Sequence, residues 1–340
     1  MKCRACYRLS RLVIATAVSH YPKLGDGPGQ QGLRHAIARV DRGEAAPEEI
    51  EQAAQAMTVA AIQEQEAAGL DLLTDGQIRW QDPITYLAAG LQGLELGGLL
   101  RWFESNTYYR QPRPQPGAEL RWTRPILADD LEFARRHANR PLKAVLTGPY
   151  TMGTLSDPGD LGHRKLVLDL ARALNQELRS LAEAGPEWIQ IDEPAIVNNP
   201  SVRYPRDFAL FREAMSVLTE GVEGRLSLYT YHGDVVDVPG LLELPFQLFG
   251  LDFVQGPTNW ALLEEWPGEK GLGLGIVDAR NVRLEEIGAL LEKVGRAVAA
   301  AGEASIHVGP SCGLEFLPRE TARRKLELVA RATHAQGVTV

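Results

Sequence analysis

One pattern recurs along the chain and restricts its possible folds: an amphipathic helix, a glycine that ends the helix, and a short β-rich run followed by polar residues. In the first clear copy, a helical segment at 48–68 is followed by Gly69 and by an apolar run at 70–73. A second copy ends its helix at Gly185 before the run at 188–191, and a third has Gly302 before 304–308. Helices that alternate with buried strands are typical of an α/β fold with a parallel sheet.

Eight such β-rich runs occur, and eight strands with intervening helices predict a (β/α)8 TIM barrel. The predicted strands lie at 12–18, 70–74, 143–147, 188–191, 225–231, 251–255, 271–277 and 304–308. A surplus at 86–139 contains the aromatic residues Trp102, Tyr108 and Tyr109, which either cover a ring-containing ligand or pack against the barrel. We therefore expect a basic, mobile leader at 1–11 and a single TIM-barrel domain at 12–340. This domain would carry a partly helical, partly extended aromatic insertion after the second strand, as a flap over one barrel end.

Composition restricts the class of protein further. The net charge of −8 and the absence of a basic stripe argue against a nucleic-acid partner. The longest apolar runs, such as 12–18, are much shorter than the roughly 20 residues that cross a bilayer, which argues against a membrane protein. Three cysteines cannot build a disulfide framework, and Cys3 and Cys6, spaced as CxxC, have no second ligand pair nearby. These features predict a cytoplasmic protein that acts on small molecules.

The residues that follow the predicted strands are the candidates for an active site. In TIM barrels the active site lies at the C-terminal ends of the strands, because the loops there converge on the barrel axis. These residues are His20, Asp75, Gln77, Tyr150, Asp192, Glu193, Tyr229, His232, Gln255, Asp278, Arg280, Ser311 and Cys312.

Two pairs among these candidates each have two interpretations. Asp192 and Glu193 are adjacent on a strand and point to opposite faces, so the simpler interpretation has Asp192 facing the barrel mouth and Glu193 holding a neighbouring loop. Glu193 would otherwise bind substrate. Arg280 and Asp278 either clamp a substrate carboxylate, for which a guanidinium offers a bidentate fork, or form an internal ion pair.

Five motifs occur in an order that resembles the cobalamin-independent methionine synthase family. They are WFESNTYY at 102–109, GPYT at 148–151, WIQIDEPA at 188–195, LGIVDARN at 274–281 and SCGL at 311–314. The resemblance covers about 12–328 and implies a TIM barrel that transfers a methyl group to homocysteine sulfur. The donor it implies is 5-methylfolate, with methylcobalamin as a further possible donor. The chain has about half the length of two-barrel members of that family.

The resemblance also implies a zinc site, which this sequence matches poorly. The family holds zinc with one His, two Cys and one Glu, and Cys312 is the one ligand in register. The family's His-x-Cys after the fifth strand falls at Tyr229 to His232, which is closer to the family's zinc-free barrel. Asp192, which receives the amino group of homocysteine in the family, is retained. His20, Gln77 and Arg280 replace the family's Ser, Glu and catalytic His.

The sequence leaves several interpretations open. His20, His232 and Cys312 could form another metal site with an oxygen from Asp234 or Glu193, or else Cys312 is a small buried side chain and the histidines cap loops. The main prediction is a methyltransferase acting on a small thiol, with zinc doubtful. Its catalytic candidates are Asp192, His232 and Arg280; its substrate-binding candidates are His20, Gln77, Tyr150, Asp192, Glu193, Tyr229, Asp278 and Ser311; its metal-binding candidates are Cys312 and His232. The alternatives are a zinc-free accessory or binding subunit and a lyase or decarboxylase. A homodimer or a partner methyltransferase subunit is compatible with each.

Overall fold

The computed structural model describes residues 13–197 and 205–335, so the predicted leader at 1–11, with Cys3 and Cys6, lies outside the described residues. The strands are β1 (Val13–Ala15), β2 (Leu94–Arg101), β3 (Tyr108–Pro114), β4 (Lys143–Thr147), β5 (Trp188–Asp192), β6 (Leu226–Tyr229), β7 (Leu248–Asp252), β8 (Gly271–Val277) and β9 (Ile306–Pro310). The helices are α1 (Gly32–Asp41), α2 (Glu48–Ala67), α3 (Thr85–Gly90), α4 (Ala128–His137), α5 (Pro149–Leu155), α6 (His163–Ala184), α7 (Phe208–Thr219), α8 (Ile287–Ala301) and α9 (Arg319–His334). Within the described ranges, no helix is long and apolar enough to span a bilayer.

Seven strands form one parallel sheet in the order β1-β9-β8-β7-β6-β5-β4, curved as a half-barrel. They confirm seven of the eight predicted strands, although β7 begins at Leu248 rather than at 251. The predicted strand at 70–74 makes only single-residue bridges, from Leu72 to Thr16 and from Leu73 to Leu142. The Asp71 carboxylate accepts the Ala15 N–H at 2.9 Å, a donor that a regular ladder would pair with a backbone carbonyl. This segment therefore lies between the two edge strands without forming a continuous ladder.

Glycine ends the outer helices where the sequence predicts it. Gly185 caps α6 in the left-handed conformation, with a φ of 68°. Gly302 ends α8 with a φ of 60°. Glycine adopts positive φ without the steric cost of a Cβ atom. Each helix stop returns the chain to a parallel strand, so the C-terminal ends of the strands lie at the same edge of the sheet.

The parallel strands are buried on both faces, and one tyrosine fills part of the sheet interior. Every residue of β4, β5, β7, β8 and β9 is buried, as expected for a parallel sheet covered by helices. A Cβ atom on Gly250 would lie 2.2 Å from the Tyr229 ring, and one on Gly273 would lie 2.9 Å from its hydroxyl oxygen. Glycines in β7 and β8 therefore make room for the Tyr229 ring.

The segment at 86–139 contains an antiparallel hairpin formed by β2 and β3. Trp102 and Tyr109 of this hairpin are buried, and the Tyr109 hydroxyl donates to the Leu155 carbonyl oxygen at 2.9 Å. Tyr108 is 55% exposed. The two buried rings thus pack the hairpin against the rest of the protein.

The hairpin tip at 102–107 covers the C-terminal end of the sheet. The Phe103 ring centroid lies 5.5 Å from that of His232, which follows β6. Arg280, which follows β8, donates from Nη2 to the Glu104 carbonyl oxygen at 2.6 Å. These contacts place the tip directly over the strand ends where the sequence predicts the active site.

Candidate active site

Polar side chains that follow several strands lie close together beneath the hairpin tip, in a region that we call the polar mouth. Its members are His20, Lys23, Asp192, Tyr231, His232, Arg280, Cys312 and Glu315. The Tyr231 hydroxyl donates to Asp192 Oδ2 at 3.2 Å, and the Tyr231 ring lies 4.8 Å from that of His232. The charges of Lys23, Asp192 and Arg280 all act on the Glu315 carboxyl group. Side chains from the ends of β1, β5, β6, β8 and β9 are thus brought to one place.

Asp192 is the buried carboxylate at the base of the polar mouth. Only 3% of its surface is exposed. Oδ1 accepts a hydrogen bond from Gln190 Nε2 at 2.6 Å, and Oδ2 accepts from the Tyr231 hydroxyl. Burial raises the pKa of Asp192 to about 7, although Gln190 and the positive charge of Lys143 act in the opposite direction. Its ionisation is therefore set by buried neighbours rather than by solvent.

Lys143 at the start of β4 supplies the buried positive charge behind Asp192. Its Nζ donates to Gln190 Oε1 at 2.7 Å and lies 4.9 Å from the centre of the Tyr229 ring. Gln190 also donates to the Val18 carbonyl oxygen at 2.9 Å, which fixes the orientation of its amide. Burial lowers the pKa of Lys143 to about 7, while Asp192 raises it. One oriented glutamine thus connects a buried ammonium group to the Asp192 carboxylate.

Glu193 is fully buried and holds the start of α5. Its Oε1 accepts the Tyr150 N–H at 2.9 Å, and its Oε2 accepts the N–H of Thr151 at 2.7 Å and the Thr151 hydroxyl at 2.5 Å. A Cβ atom on Gly148 would lie 2.1 Å from the carboxylate, so this approach requires a glycine. Burial raises the pKa of Glu193 to about 8. The carboxylate therefore holds the loop after β4 in place. This contact agrees with the interpretation that Glu193 holds a neighbouring loop.

His20 and Gln77 enclose the side of the polar mouth near β1. The His20 ring packs edge-on against Trp80 with centroids 5.4 Å apart, and its Nε2 is buried without a hydrogen-bond partner among the described residues. Burial, with a contribution from Lys23, lowers the pKa of His20 to about 3, so the ring is neutral. Gln77 has a positive φ of 45° and a buried Oε1 that also lacks a partner within the described ranges. Both residues offer polar atoms that the described residues do not use.

His232 lies directly beneath the hairpin tip. Its backbone has a φ of 76°, and its N–H donates to Asp252 Oδ2 at 3.0 Å, which holds this unusual conformation. Burial lowers the pKa of the ring to about 3, assisted by the charge of Arg280. The imidazole is therefore neutral and can accept a hydrogen bond at a ring nitrogen.

Arg280 fastens the hairpin tip to the sheet instead of pairing with Asp278. Its Nη1 donates to Gln255 Oε1 at 3.2 Å, while Nη2 reaches the Glu104 carbonyl oxygen. Asp278 Oδ1 accepts the backbone N–H of Arg280 at 2.8 Å. The two side chains thus do not form the internal ion pair that was one of the two interpretations, and the substrate clamp stays a prediction.

Three further predicted residues make contacts within the protein. The Tyr150 hydroxyl accepts the N–H of Asp207 at 2.9 Å, so this side chain holds the N-terminus of α7, and its substrate-binding role stays a prediction. Ser311 Oγ accepts the Ala279 N–H at 3.2 Å. Tyr229 has a buried hydroxyl without a partner among the described residues, and its ring lies in the sheet interior.

Three polar-mouth residues are not among the candidates predicted from the sequence: Lys23, Tyr231 and Glu315. Glu315 lies farthest along the chain. Its Oε2 is buried and has no hydrogen-bond partner within the described residues. A Cβ atom on Gly313 would lie 2.2 Å from this oxygen and 2.9 Å from Ser19 Oγ, so the carboxylate lies over Gly313 beside the end of β1. Burial raises the pKa of Glu315 to about 8. The only sequence signal was its position immediately after the motif at 311–314.

The described residues do not fit a zinc site. Across 13–197 and 205–335, no three His, Cys, Asp or Glu side chains lie close enough together to hold a metal ion. Cys312 is fully buried with its Sγ directed to the Gly313 carbonyl oxygen, and burial raises the pKa of its thiol well above the ordinary value. The His232 ring packs against the rings of Phe103 and Tyr231. The hypothesis of a metal site built from His20, His232 and Cys312 is therefore not supported by their arrangement.

Comparison with known proteins identifies the family. The family model described as "Cobalamin-independent synthase, Catalytic domain" matches residues 21–335. The chain belongs to the cobalamin-independent methionine synthase family. The family resemblance predicted from the five sequence motifs is thereby confirmed.

Relatives in this family have nearly the same length as the chain. A protein named methionine synthase from Saccharolobus solfataricus is 29% identical over 316 residues, which cover 91% of this chain and 92% of the relative. A protein from Sulfolobus acidocaldarius that is also named methionine synthase is 27% identical over 314 residues, which cover 91% of this chain and 90% of the relative. The chain therefore spans about nine tenths of the length of each of these two relatives.

Solved structures share the fold of this family member. A B12-independent methionine synthase from Shewanella sp., in complex with selenomethionine, superposes with a TM-score of 0.76 at 19% identity, covering 96% of this chain and 98% of the other. A putative vitamin-B12 independent methionine synthase from Listeria monocytogenes superposes with a TM-score of 0.72 at 17% identity, covering 95% of this chain and 98% of the other. The α/β architecture is therefore that of the methionine synthases.

Proposed function

We propose that this protein is a methyltransferase that transfers a methyl group to the thiol sulfur of homocysteine or a closely related small substrate. The observation that carries the proposal is the polar mouth: residues from five strand ends of a cobalamin-independent methionine synthase fold surround the retained Asp192 beneath a closing hairpin. A 5-methylfolate or methylcobalamin is the proposed methyl donor. We further propose that the protein acts in the cytoplasm.

The proposed fold completes the half-barrel. The segment at 70–74, which bridges β1 and β4 at Leu72 and Leu73, would be the second of eight barrel strands. Residues 12–340 would then form one TIM-barrel domain, and 86–139 its aromatic insertion. In that arrangement the hairpin tip acts as a flap over the open end of the barrel, where loops of TIM-barrel enzymes form the active site.

The chemistry requires a thiolate in a site from which water is excluded. The sulfur lone pair forms the new S–C bond while the bond from the methyl carbon to the donor breaks and its electrons stay with the donor. In a methylfolate these electrons stay on N5, which takes up a proton in place of the one that the thiol loses. A thiol has an ordinary pKa near 8.5, so its proton must first be removed. Asp192, with a pKa of about 7, is a proton acceptor of suitable strength, and neutral His232 can accept a hydrogen bond from the S–H group. Arg280 keeps the hairpin tip closed over the reacting groups.

The transfer reaction is the direct test of this function. Purified protein incubated with homocysteine and either 5-methyltetrahydrofolate or methylcobalamin should form methionine above the rate without enzyme. Asp192→Asn should lower this rate by at least about 100-fold, because an amide of the same shape cannot accept the thiol proton. Methionine formation that is no faster than in the enzyme-free control with both donors would contradict the proposal.

Metal analysis distinguishes this site from the family's zinc site. Because the described residues offer no cluster of three ligands, we expect the untagged protein to contain less than about 0.1 zinc per chain. Cys312→Ala should have the same metal content as the parent protein. A chelator should leave the melting temperature of each of the two proteins unchanged. Stoichiometric zinc in the parent protein that is lost in the variant would overturn the conclusion that the ligand set does not fit.

A second candidate function is a zinc-free accessory or binding subunit of a methyltransferase. The observation that favours it is the missing zinc ligand set, because such a subunit would need the polar mouth only for binding. In that case the protein would co-purify with a zinc-bearing homologue and would stimulate its activity while having none alone. A homodimer is the alternative assembly, which light scattering distinguishes from a monomer.

A further inference from the structure

We propose that the outer edge of β2, which β3 does not cover, pairs with the same edge in a second copy of this chain. The two hairpins then form one four-stranded antiparallel sheet across a two-fold axis. This pairing gives the homodimer a defined surface and does not depend on methyl transfer. Assembly and catalysis are measured separately, so failure of the pairing is distinguishable from failure of the proposed function.

β2 is the exposed strand of the hairpin. All four residues at 98–101 are exposed, and Leu99 has 63% of its surface exposed. Leu96, Leu100 and, on β3, Tyr108 are further large apolar side chains that solvent reaches. A long, apolar edge strand pairs readily with a strand of another chain, and exposed apolar patches mark interaction sites. The exposed leucines therefore indicate that β2 binds a partner strand.

The backbone groups of Leu96 and Leu99 point to the outer edge of β2. Their partners in the ladder are Pro112 and Arg110. The Pro112 carbonyl oxygen accepts an N–H from the loop after α5 at 2.9 Å, and the Arg110 N–H donates to the Thr85 hydroxyl at 3.0 Å. In an antiparallel ladder, two opposite residues direct their backbone groups either toward each other or both away. The N–H and carbonyl groups of Leu96 and Leu99 therefore point away from β3.

These outward groups are available for pairing. Within the described ranges, no backbone group outside the hairpin bonds to the backbone of Leu96 or Leu99. The edge strands of the main sheet differ, because the segment at 70–74 bridges both β1 and β4. The outer edge of β2 is thus open where the edges of the main sheet are covered.

Two glycines at the centre of β2 make this edge self-complementary. The ladder register shifts between Leu96 and Leu99, so Gly97 and Gly98 include one extra residue, a β-bulge. A two-fold axis between these glycines places Leu96 opposite Leu99 of the second copy, and Leu99 opposite Leu96. Each pair joins two residues with outward backbone groups, so each can exchange two N–H···O bonds. The glycines lie at the axis and have no side chains that would keep the strands apart.

The charges and the spacing along β2 also suit a second copy. In this register Glu95 lies opposite Leu100, and its own hairpin already pairs it with Arg113. Arg101 lies opposite Leu94, so no charge faces a like charge across the axis. The outward residues are three positions apart, and an antiparallel copy repeats this spacing in reverse. A regular strand of another protein has a spacing of two and fits the bulge less closely.

Sedimentation velocity of the full chain from about 1 to 200 µM tests assembly, because strand pairing alone is a small interface. We expect a monomer–dimer equilibrium in the parent. Leu96→Pro removes an outward N–H without removing a bond within the hairpin, and Leu99→Lys places a charge on the edge. Each should weaken the dimer at least about tenfold. Ile37→Lys, at an exposed apolar position of α1, is the matched control and should assemble as the parent does.

Cysteine cross-linking tests the register, in a chain that also carries Cys3→Ser and Cys6→Ser. A mixture of Leu96→Cys and Leu99→Cys chains should form an intermolecular disulfide, because opposite residues of a hydrogen-bonded pair have Cα atoms about 5.5 Å apart. Leu96→Cys alone and Leu99→Cys alone should cross-link much less, because like positions are offset by three residues, or about 10 Å.

The outcomes decide the proposal without reference to activity. A parent that stays monomeric at about 200 µM would overturn it, even if that monomer forms methionine. A dimer that folded Leu96→Pro and Leu99→Lys variants leave intact would overturn this surface, as would equal cross-linking in the mixture and in each single variant. A dimer that both variants weaken, with cross-linking confined to the mixture, would support the pairing even if no methionine forms.

Discussion

Replacing Glu177 by Leu should lower the free energy of unfolding by about 4 kcal/mol, the largest stability effect that we expect from a single substitution. Glu177 lies on α6 and is completely buried. Its Oε2 accepts Trp122 Nε1 at 2.6 Å and the Ile126 N–H at 2.8 Å, and its Oε1 accepts the Leu127 N–H at 2.8 Å. Leucine fills similar space but leaves three donors without an acceptor.

The same carboxylate caps a helix that has no cap of its own. Leu127 is the N-cap residue of α4, and its side chain makes no capping hydrogen bond. The N–H groups at the start of a helix lack partners within the helix, and Glu177 accepts the N–H of the N-cap residue Leu127 together with that of Ile126 before it. The carboxylate therefore lies at the end of α4 where the helix dipole favours a negative charge. This contact fixes the segment that connects the hairpin to α4. Loss of Glu177 should therefore loosen the base of the hairpin as well as α4.

Urea denaturation followed by circular dichroism and by tryptophan fluorescence measures this effect. Glu183→Leu is the matched control, because it makes the same change at an exposed position of the same helix and should alter stability by less than about 0.5 kcal/mol. Glu177→Gln keeps one acceptor oxygen and should lie between the two. Equal midpoints of urea denaturation for Glu177→Leu and Glu183→Leu would show that the three hydrogen bonds make no net contribution to the free energy of unfolding.

The sequence predicted the strands well because parallel strands are apolar throughout. Glycines 185 and 302 marked the helix ends correctly because a positive φ there favours glycine. The segment at 70–74 had the same apolar pattern, but the Asp71 carboxylate occupies the Ala15 N–H that a ladder would use. A side chain that competes with the backbone for hydrogen bonds is not visible in hydrophobic periodicity.

The candidate site was predicted less completely, because burial of a charge depends on residues far away in sequence. Lys143 at the start of a strand looks like a solvated end, yet Gln190 and Tyr229 from neighbouring strands enclose it. In the sequence, Glu315 follows the motif at 311–314 and has the residue type of a surface position. Only the fold shows that its carboxylate lies near the strand ends. Arg280 was correctly placed at a strand end, but its partner at the hairpin tip, the Glu104 carbonyl oxygen, lies 176 positions away in sequence. Residue type and spacing predict where a side chain starts, whereas packing decides what it contacts.

Replacing Lys143 by Met should shift the acid limb of the pH profile of kcat/KM to higher pH and lower kcat/KM at pH 7 by about 5- to 50-fold. The reason is the charge that Lys143 places behind Asp192. Burial alone favours the protonated form of Asp192, and the nearby ammonium group opposes this. An opposite charge close to a carboxylate lowers its pKa by about one to three units. Losing the charge of Lys143 therefore moves the pKa of Asp192 upward from about 7. Asp192 is then protonated at pH 7, and activity returns as the pH rises.

The free energy of unfolding should depend on pH in a different way from kcat/KM. Burial lowers the pKa of Lys143 to about 7 in the folded protein, whereas in the unfolded chain the ordinary value is about 10.4. Between these two pH values the unfolded chain therefore binds a proton at Lys143 that the folded protein has lost. This group therefore makes the parent more stable as pH rises through that window, by up to about 1.4 kcal/mol per pH unit, and methionine removes the dependence. At pH 7 the variant should be no less stable than the parent, because Asp192 takes up a proton instead of remaining as an unpaired buried charge.

A second variant separates the charge of Lys143 from its hydrogen bond. Lys143→Gln keeps a donor in reach of Gln190 Oε1 but carries no charge. If the charge on Asp192 matters, Lys143→Gln and Lys143→Met should show the same upward shift of the acid limb. If the hydrogen bond that orients Gln190 matters instead, only Lys143→Met should lose activity, and the loss should be independent of pH. Profiles that coincide with the parent for both folded variants would show that Asp192 ionises without help from Lys143, which would remove Lys143 as a positioning residue of this site.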